Sequence, residues 1–201
     1  DKTEPAHEKA GTKVSSHTAE AAPHDQRKAL RVGVLYWSMN IPGQVAMRKG
    51  LESSLSSINA QRRAESLGEI ELVARVAGDG EEGIERQMKQ MRELLELGVD
   101  LIIVQPTDTA ALSKGLQDAN RDGTPVVAYD QHILDGDLAS FITSDNYQAG
   151  YLDGEYVAAK FPDTQRLRIV IVEYPQVSST VSRVDGFTDA LEATGQPFRI
   201  L

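Results

Sequence analysis

From Leu30 onward the chain alternates short apolar runs with longer amphipathic ones, and that alternation constrains the fold more than any other feature. The runs RVGVLY (31–36), IELVARV (70–76), LIIV (101–104), PVVAY (125–129), ASFIT (139–143) and RIVIVE (168–173) read as strands. Helical periodicity lies between them. Leu51, Leu55 and Ile58 share a face after a turn at Pro42-Gly43, and Ile84, Met88, Met91 and Leu95 share another that Gly98 stops. Leu112, Leu116 and Ala119 predict a helix capped by Thr107 or Asp108 and closed by Gly123 and Pro125. Two more helices are expected, one around 147–161 and one carrying Val181, Val184, Phe187 and Leu191. Strands this short, apolar on both faces and joined by helices, belong to a parallel sheet covered on both sides, because right-handed crossovers place helices over each face. The expected class is α/β, a doubly wound parallel sheet.

The same reading divides the chain. Residues 1–29 have Val14 as their only large aliphatic side chain and cannot bury enough surface to offset ordering, so they are expected to be a disordered tail or tether. Residues 30–144 are expected to form a first α/β lobe. Residues 145–201 begin a second lobe that stops at the strand-like PFRIL, so the chain is expected to be the front portion of a longer protein.

Composition narrows the function classes. A formal charge of -9 over 201 residues opposes attraction to nucleic acid or anionic lipid, so a DNA-binding role is not expected. No apolar run approaches the roughly 18 residues of a membrane-spanning helix. The polar first residues are not those of a signal peptide, so an exported chain would be the mature form. With no cysteine there is no disulfide, thiolate nucleophile or thiolate zinc site. His7, His17 and His24 sit in the tail at spacings that match no ligand pattern, and neither a metal nor a cofactor is expected.

GDGEEG (78–83) satisfies G-x-G-x-x-G after a strand and before a helix. A pyrophosphate at that helix start would meet Asp79, Glu81 and Glu82, whose carboxylates cancel the attraction of the backbone amides; they read better as acids complementing the helix dipole. No phosphate-binding GxxxxGK[ST] loop, H-E-x-x-H or G-x-S-x-G occurs, and His132, read as a surface-loop residue, has no nucleophile beside it in sequence.

What remains is a set of polar and aromatic residues at strand ends, where open α/β sheets bind ligands. Tyr36, Trp37 and Asn40 follow the first strand, Gln105 and Asp108 the third, Asp130 and Gln131 the fourth. An aromatic surface with planar amides and a carboxylate suits a polyhydroxylated ligand, whose apolar ring face stacks while its hydroxyls pair. Asp108, before an apolar helical run, reads better as a helix cap than as a ligand residue, whereas Asp130 reads better as a ligand residue, mainly on the resemblance that follows, than as a turn former.

Those residues, in the segments VGVLYWSMNIPGQVAMRKGLE (32–52), GVDLIIVQPTDTAALSKGLQDANRDGTPVVAYDQ (98–131), ITSDNYQAGYLDGEYVAAKF (142–161) and SSTVSRVDGFTDAL (178–191), resemble the type I periplasmic binding proteins of the ribose/galactose class, whose core fold LacI-type repressors share. The resemblance covers the chain from about Leu30 on. It implies two lobes with ligand between them, a first hinge crossover at Ser144, Asp145 and Asn146, and a sugar-hydroxyl carboxylate at Asp130. Gln131 takes the place of a sugar-gripping arginine and Gln105 that of an asparagine. Ile41, Gly43 and Gln44 stand where the ribose binder has an Asn and two Phe. Val181 replaces a ligand-binding Arg of the second lobe, and Arg183 matches the more structural arginine after it. Fewer arginines point away from an anionic ligand.

The implied protein is not an enzyme. It is a periplasmic solute-binding protein, its signal peptide removed, that closes on a neutral sugar or polyol through Tyr36, Trp37, Asn40, Gln44, Gln105, Asp130 and Gln131. Its membrane partner is an ABC transporter permease, or in the alternative a sensor kinase that reads an autoinducer-like signal. A LacI-type regulator core lacks its helix-turn-helix here, and an enzyme on the same fold would need catalytic groups around Asp130.

Overall fold

Strand β1 (Leu30–Tyr36) lies inside the first sheet, hydrogen-bonded on one edge to β2 (Ile70–Val76) and on the other to β3 (Leu101–Val104). The computed structural model describes residues 28–162 and 164–201, so the tail expected over 1–29 lies almost wholly outside the described residues. Strands β4 (Val126–Tyr129) and β5 (Ser140–Ile142) extend the sheet in the order β2-β1-β3-β4-β5, with all pairs parallel. Helices α1 (Pro42–Ala64), α2 (Gly80–Glu96) and α3 (Ser113–Asp122) connect them.

Strand order reverses at β1, so right-handed crossovers put α1 and α2 on opposite faces. Side-chain parity follows the two-residue strand period. Leu35, Ile102, Val104, Val126 and Ala128 pack with Met91 and Leu94 of α2 and Leu116 of α3. Val32, Val34 and Tyr36 face the other way, with Leu51 of α1 and with Leu101 and Ile103. Each fully buried side chain of this size contributes about 1.5–3 kcal/mol, so the dense α2/α3 face anchors the sheet. Beyond α1 the second face is barer, and an open hollow lies there among Met47, Leu51, Ile103, Val127, Tyr129 and Ile142.

Gly98 and Gly123 have φ of +64° and +74° and end α2 and α3, as their sequence positions predict. Three local expectations are corrected. Pro42 and Gly43 lie inside the first turn of α1, because a proline at the first helical position gives up an N–H that had no partner anyway. Helix α3 starts at Ser113 with no side-chain cap. Asp108 Oδ1 instead accepts from the N–H groups of Ala110 and Ala111 at 2.8 and 2.7 Å, which holds 108–111 as a turn ahead of the helix. The run RIVIVE forms a strand only at β6 (Leu167–Ile169), which pairs with β7 (Phe198–Ile200) alone; Val172 is 97% exposed.

Helices α4 (Asn146–Lys160) and α5 (Ser178–Ala193) pack as a pair beside this two-stranded sheet. Small residues let the backbones touch. A Cβ on Gly150 would lie 1.9 Å from the carbonyl oxygen of Arg183, and one on Gly186 would lie 2.1 Å from that of Tyr147.

Candidate ligand cleft

The carboxyl ends of β1, β3 and β4 meet next to the point where strand order reverses, which is where open α/β sheets leave a crevice. Gln105 continues the β3 ladder, its N–H donating to Leu35 O at 2.9 Å, and Pro106 follows without an N–H to carry the strand further. Gln87 of α2 then fastens the tip. Its Nε2 donates to Gln105 O at 2.8 Å, and its Oε1 accepts from the N–H and hydroxyl of Thr107 at 2.8 and 2.9 Å. Held so, the 1% exposed Gln105 donates from Nε2 to Asp130 Oδ2 at 2.8 Å.

Asp130 is pinned as firmly. Its φ of +65° is left-handed, a conformation that Asp tolerates better than most side chains. Its N–H donates to Ile142 O at 2.9 Å and its carbonyl accepts from Thr143 Oγ1 at 3.0 Å. The carboxylate therefore projects from the β4 tip with only Oδ2 engaged among the described residues.

The other expected site residues divide. Trp37 is half-buried at the β1 tip, its ring centroid 6.3 Å from that of Tyr174 with the planes at 30°. Tyr36 instead lies 1% exposed beneath α1 with the Arg48 guanidinium over its ring, so the stacking surface at this tip is that of Trp37 alone. Burial, reinforced by Glu52, raises the pKa of Tyr36, and burial then Tyr36 and Asp130 raise that of Tyr129. Both phenolic oxygens are buried with no hydrogen-bond partner among the described residues. Asn40 is exposed and, with Ser38, hydrogen-bonds Asp79 Oδ2 at 3.2 Å, which explains why Asp79 makes no side-chain cap for α2.

The sequence pattern of the periplasmic binding protein domain matches residues 32–200. The chain belongs to that family. As a periplasmic binding protein domain it is 25% identical to the ribose import binding protein of Bacillus subtilis over 169 residues, which cover 84% of this chain and 51% of that protein. It superposes with a TM-score of 0.70 on a carbohydrate transporter solute binding protein from Chloroflexus aurantiacus solved with D-glucose, at 15% identity over 86% of this chain and 48% of that one. A fructose-binding periplasmic domain of a hybrid two-component system gives 0.66 at 21% identity, over 86% and 52%. The chain thus spans about half the length of these relatives. The fold is the type I periplasmic binding protein architecture, here a five-stranded parallel sheet and a separate β6–β7 pair.

In this periplasmic binding protein domain Gln131 is 3% exposed and turns to the start of α5. Its Nε2 donates to Ser179 Oγ at 2.7 Å and its Oε1 accepts from Ser179 N at 3.1 Å and Ser178 Oγ at 3.2 Å. Gln44 is the one buried residue of α1, and its Oε1 has no partner among the described residues. Between β5 and α4, Asp145 caps α4 by accepting from Gln148 N at 2.9 Å, and Asn146 Nδ2 donates to Ser144 O and Thr143 Oγ1. His132 is half-buried rather than a surface residue, edge-on to Phe141 at 5.1 Å, and burial lowers its pKa. Four residues of these contacts were not singled out as site residues by the sequence. Gln87 carried a signal, a polar side chain amid Ile84, Met88 and Met91, whereas Tyr174, Ser178 and Ser179 carried none.

Proposed function

We propose that the protein is an exported periplasmic receptor that closes two lobes, hinged at Ser144 to Asn146, on a small neutral sugar or polyol and presents it to an ABC transporter in the membrane. The Gln105–Asp130 pair carries this reading. A carboxylate fixed at a strand tip accepts from ligand hydroxyls, and the amide beside it orients that carboxylate. Trp37 offers the apolar face on which a sugar ring stacks, and Gln44 Oε1 is a further buried acceptor. No Lys or Arg lies among residues 105–108 or 130–132, which favours a neutral ligand. Binding by contacts from both lobes stabilises the closed state, which a membrane partner reads; no covalent step is involved.

A thermal-shift screen of the full-length protein against sugars, polyols and signalling furanones tests the proposal, since a ligand that binds only the folded state raises the apparent Tm. A sugar or polyol that raises Tm in proportion to the logarithm of its concentration is expected. A shift with a furanone alone would favour the sensor-kinase partner. No shift with any compound, together with turnover of a substrate, would overturn the receptor reading.

A further inference from the structure

Helix α5 begins with a defect that the first lobe repairs. Its N-cap residue is Val177, which has no side-chain acceptor, so the first N–H groups of the helix gain nothing from their own chain segment. The acceptor comes from 48 residues away: Gln131 Oε1 takes the Ser179 N–H at 3.1 Å. Around it, Gln131 Nε2 donates to Ser179 Oγ, Ser178 Oγ donates to Gln131 Oε1, and His132 N donates to Ser178 Oγ at 3.1 Å. Thr109 adds two more, its N–H and hydroxyl both donating to Gln176 O at 3.0 and 2.9 Å. All six of these hydrogen bonds run between protein atoms and need no ligand to form, and Gln131, Val177 and Ser179 are all buried at the joint.

We propose that Gln131, Thr109 and the segment 176–179 form a clasp that keeps the lobes together before ligand arrives. Gln131 is then a positioning residue rather than a ligand contact. Opening would expose the amide of Gln131 and leave α5 uncapped, so the closed state is favoured without any ligand. A ligand meets a larger fraction of competent protein and binds with higher apparent affinity. Each net hydrogen bond is modest, so the clasp biases the equilibrium without locking it. The effect on affinity rests on the receptor reading; the ligand-free compactness does not.

The test compares full-length wild type with Gln131→Ala in the absence of ligand, by small-angle scattering and by acrylamide quenching of Trp37, the only tryptophan. Wild type is expected to be compact and Trp37 shielded, while Gln131→Ala has a larger radius of gyration, faster quenching and, for any ligand found, about tenfold weaker apparent affinity. Val177→Thr in the Gln131→Ala background gives α5 its own cap. It should recover Tm but leave the protein open; recovery of both would reduce Gln131 to a helix cap and overturn the clasp. Equal compactness of wild type and Gln131→Ala would overturn it too. Should Gln131→Ala fail to fold, Thr109→Ala, which removes one bond to Gln176, is expected to give the same quenching change in smaller degree, and its absence would count against the clasp. Because scattering and quenching need no ligand, failure of the clasp is distinguishable from failure of the receptor reading.

Discussion

Gln105 and Asp130 meet tip to tip across adjacent parallel strands, the amide of one donating to the carboxylate of the other at 2.8 Å. Both backbones are fixed by other protein contacts, so the pair is pre-organised, and pre-organisation of this kind lowers the ordering cost of binding wherever a ligand uses it.

Replacing Asp130 with Asn keeps the side-chain shape and a residue that tolerates positive φ, and it removes the charge. Charge-assisted hydrogen bonds to ligand hydroxyls are lost, so affinity for the sugar identified by the screen falls about tenfold to a hundredfold. Urea denaturation should change little by comparison. Titration calorimetry checks the first outcome, and undiminished affinity would place the ligand elsewhere.

Gln87→Ala leaves Gln105 O and the Thr107 N–H and hydroxyl without their partner in a buried site. Stability falls by about 3 kcal/mol, read as a lower urea midpoint. Gln87→Leu restores volume but not the acceptor, so it recovers only part of the loss.

Gly186→Ala drives a methyl into the backbone of α4 at Tyr147. Neither backbone can yield without parting the helices, so the substitution costs about 3 kcal/mol or more. Circular dichroism during urea denaturation should show the loss, and Gly150→Ala should behave alike.

His132 contributes a pH dependence of definite sign. Burial lowers its folded pKa below the ordinary 6.5, so between the two values the unfolded chain binds more protons. The stabilisation from keeping this ring neutral is full above 6.5 and is lost as pH falls from 6.5 towards the folded value. The urea midpoint of wild type should therefore drop more between pH 7 and pH 5 than that of His132→Phe, and equal drops would show that His132 stays solvated.

Trp37 and Tyr174, far apart in sequence, bring their rings to 6.3 Å, so the fluorescence of this single tryptophan reports their contact. Tyr174→Ala should red-shift its emission and speed acrylamide quenching, and a saturating ligand should shift the emission of wild type. An unchanged spectrum in both cases would remove Trp37 from the cleft.

Periodicity and punctuation made much of this readable from the chain alone. The two-residue and helical periods, with stops at Gly98, Gly123 and Pro125, specify most of the strands and helices, though not the end of β6, and they specify that the first sheet is parallel and that Gln105 and Asp130 stand at strand ends. These are local properties, set by neighbours in sequence. Only the folded arrangement decided where the side chains went. Tyr36 follows the parity of Val34 beneath α1, Gln131 turns to a helix 48 residues away, and Gln87 reaches a strand tip 18 residues on. A polar side chain near a cleft goes to the nearest unsatisfied partner, and when that partner lies on a distant segment, the fold alone brings the two together.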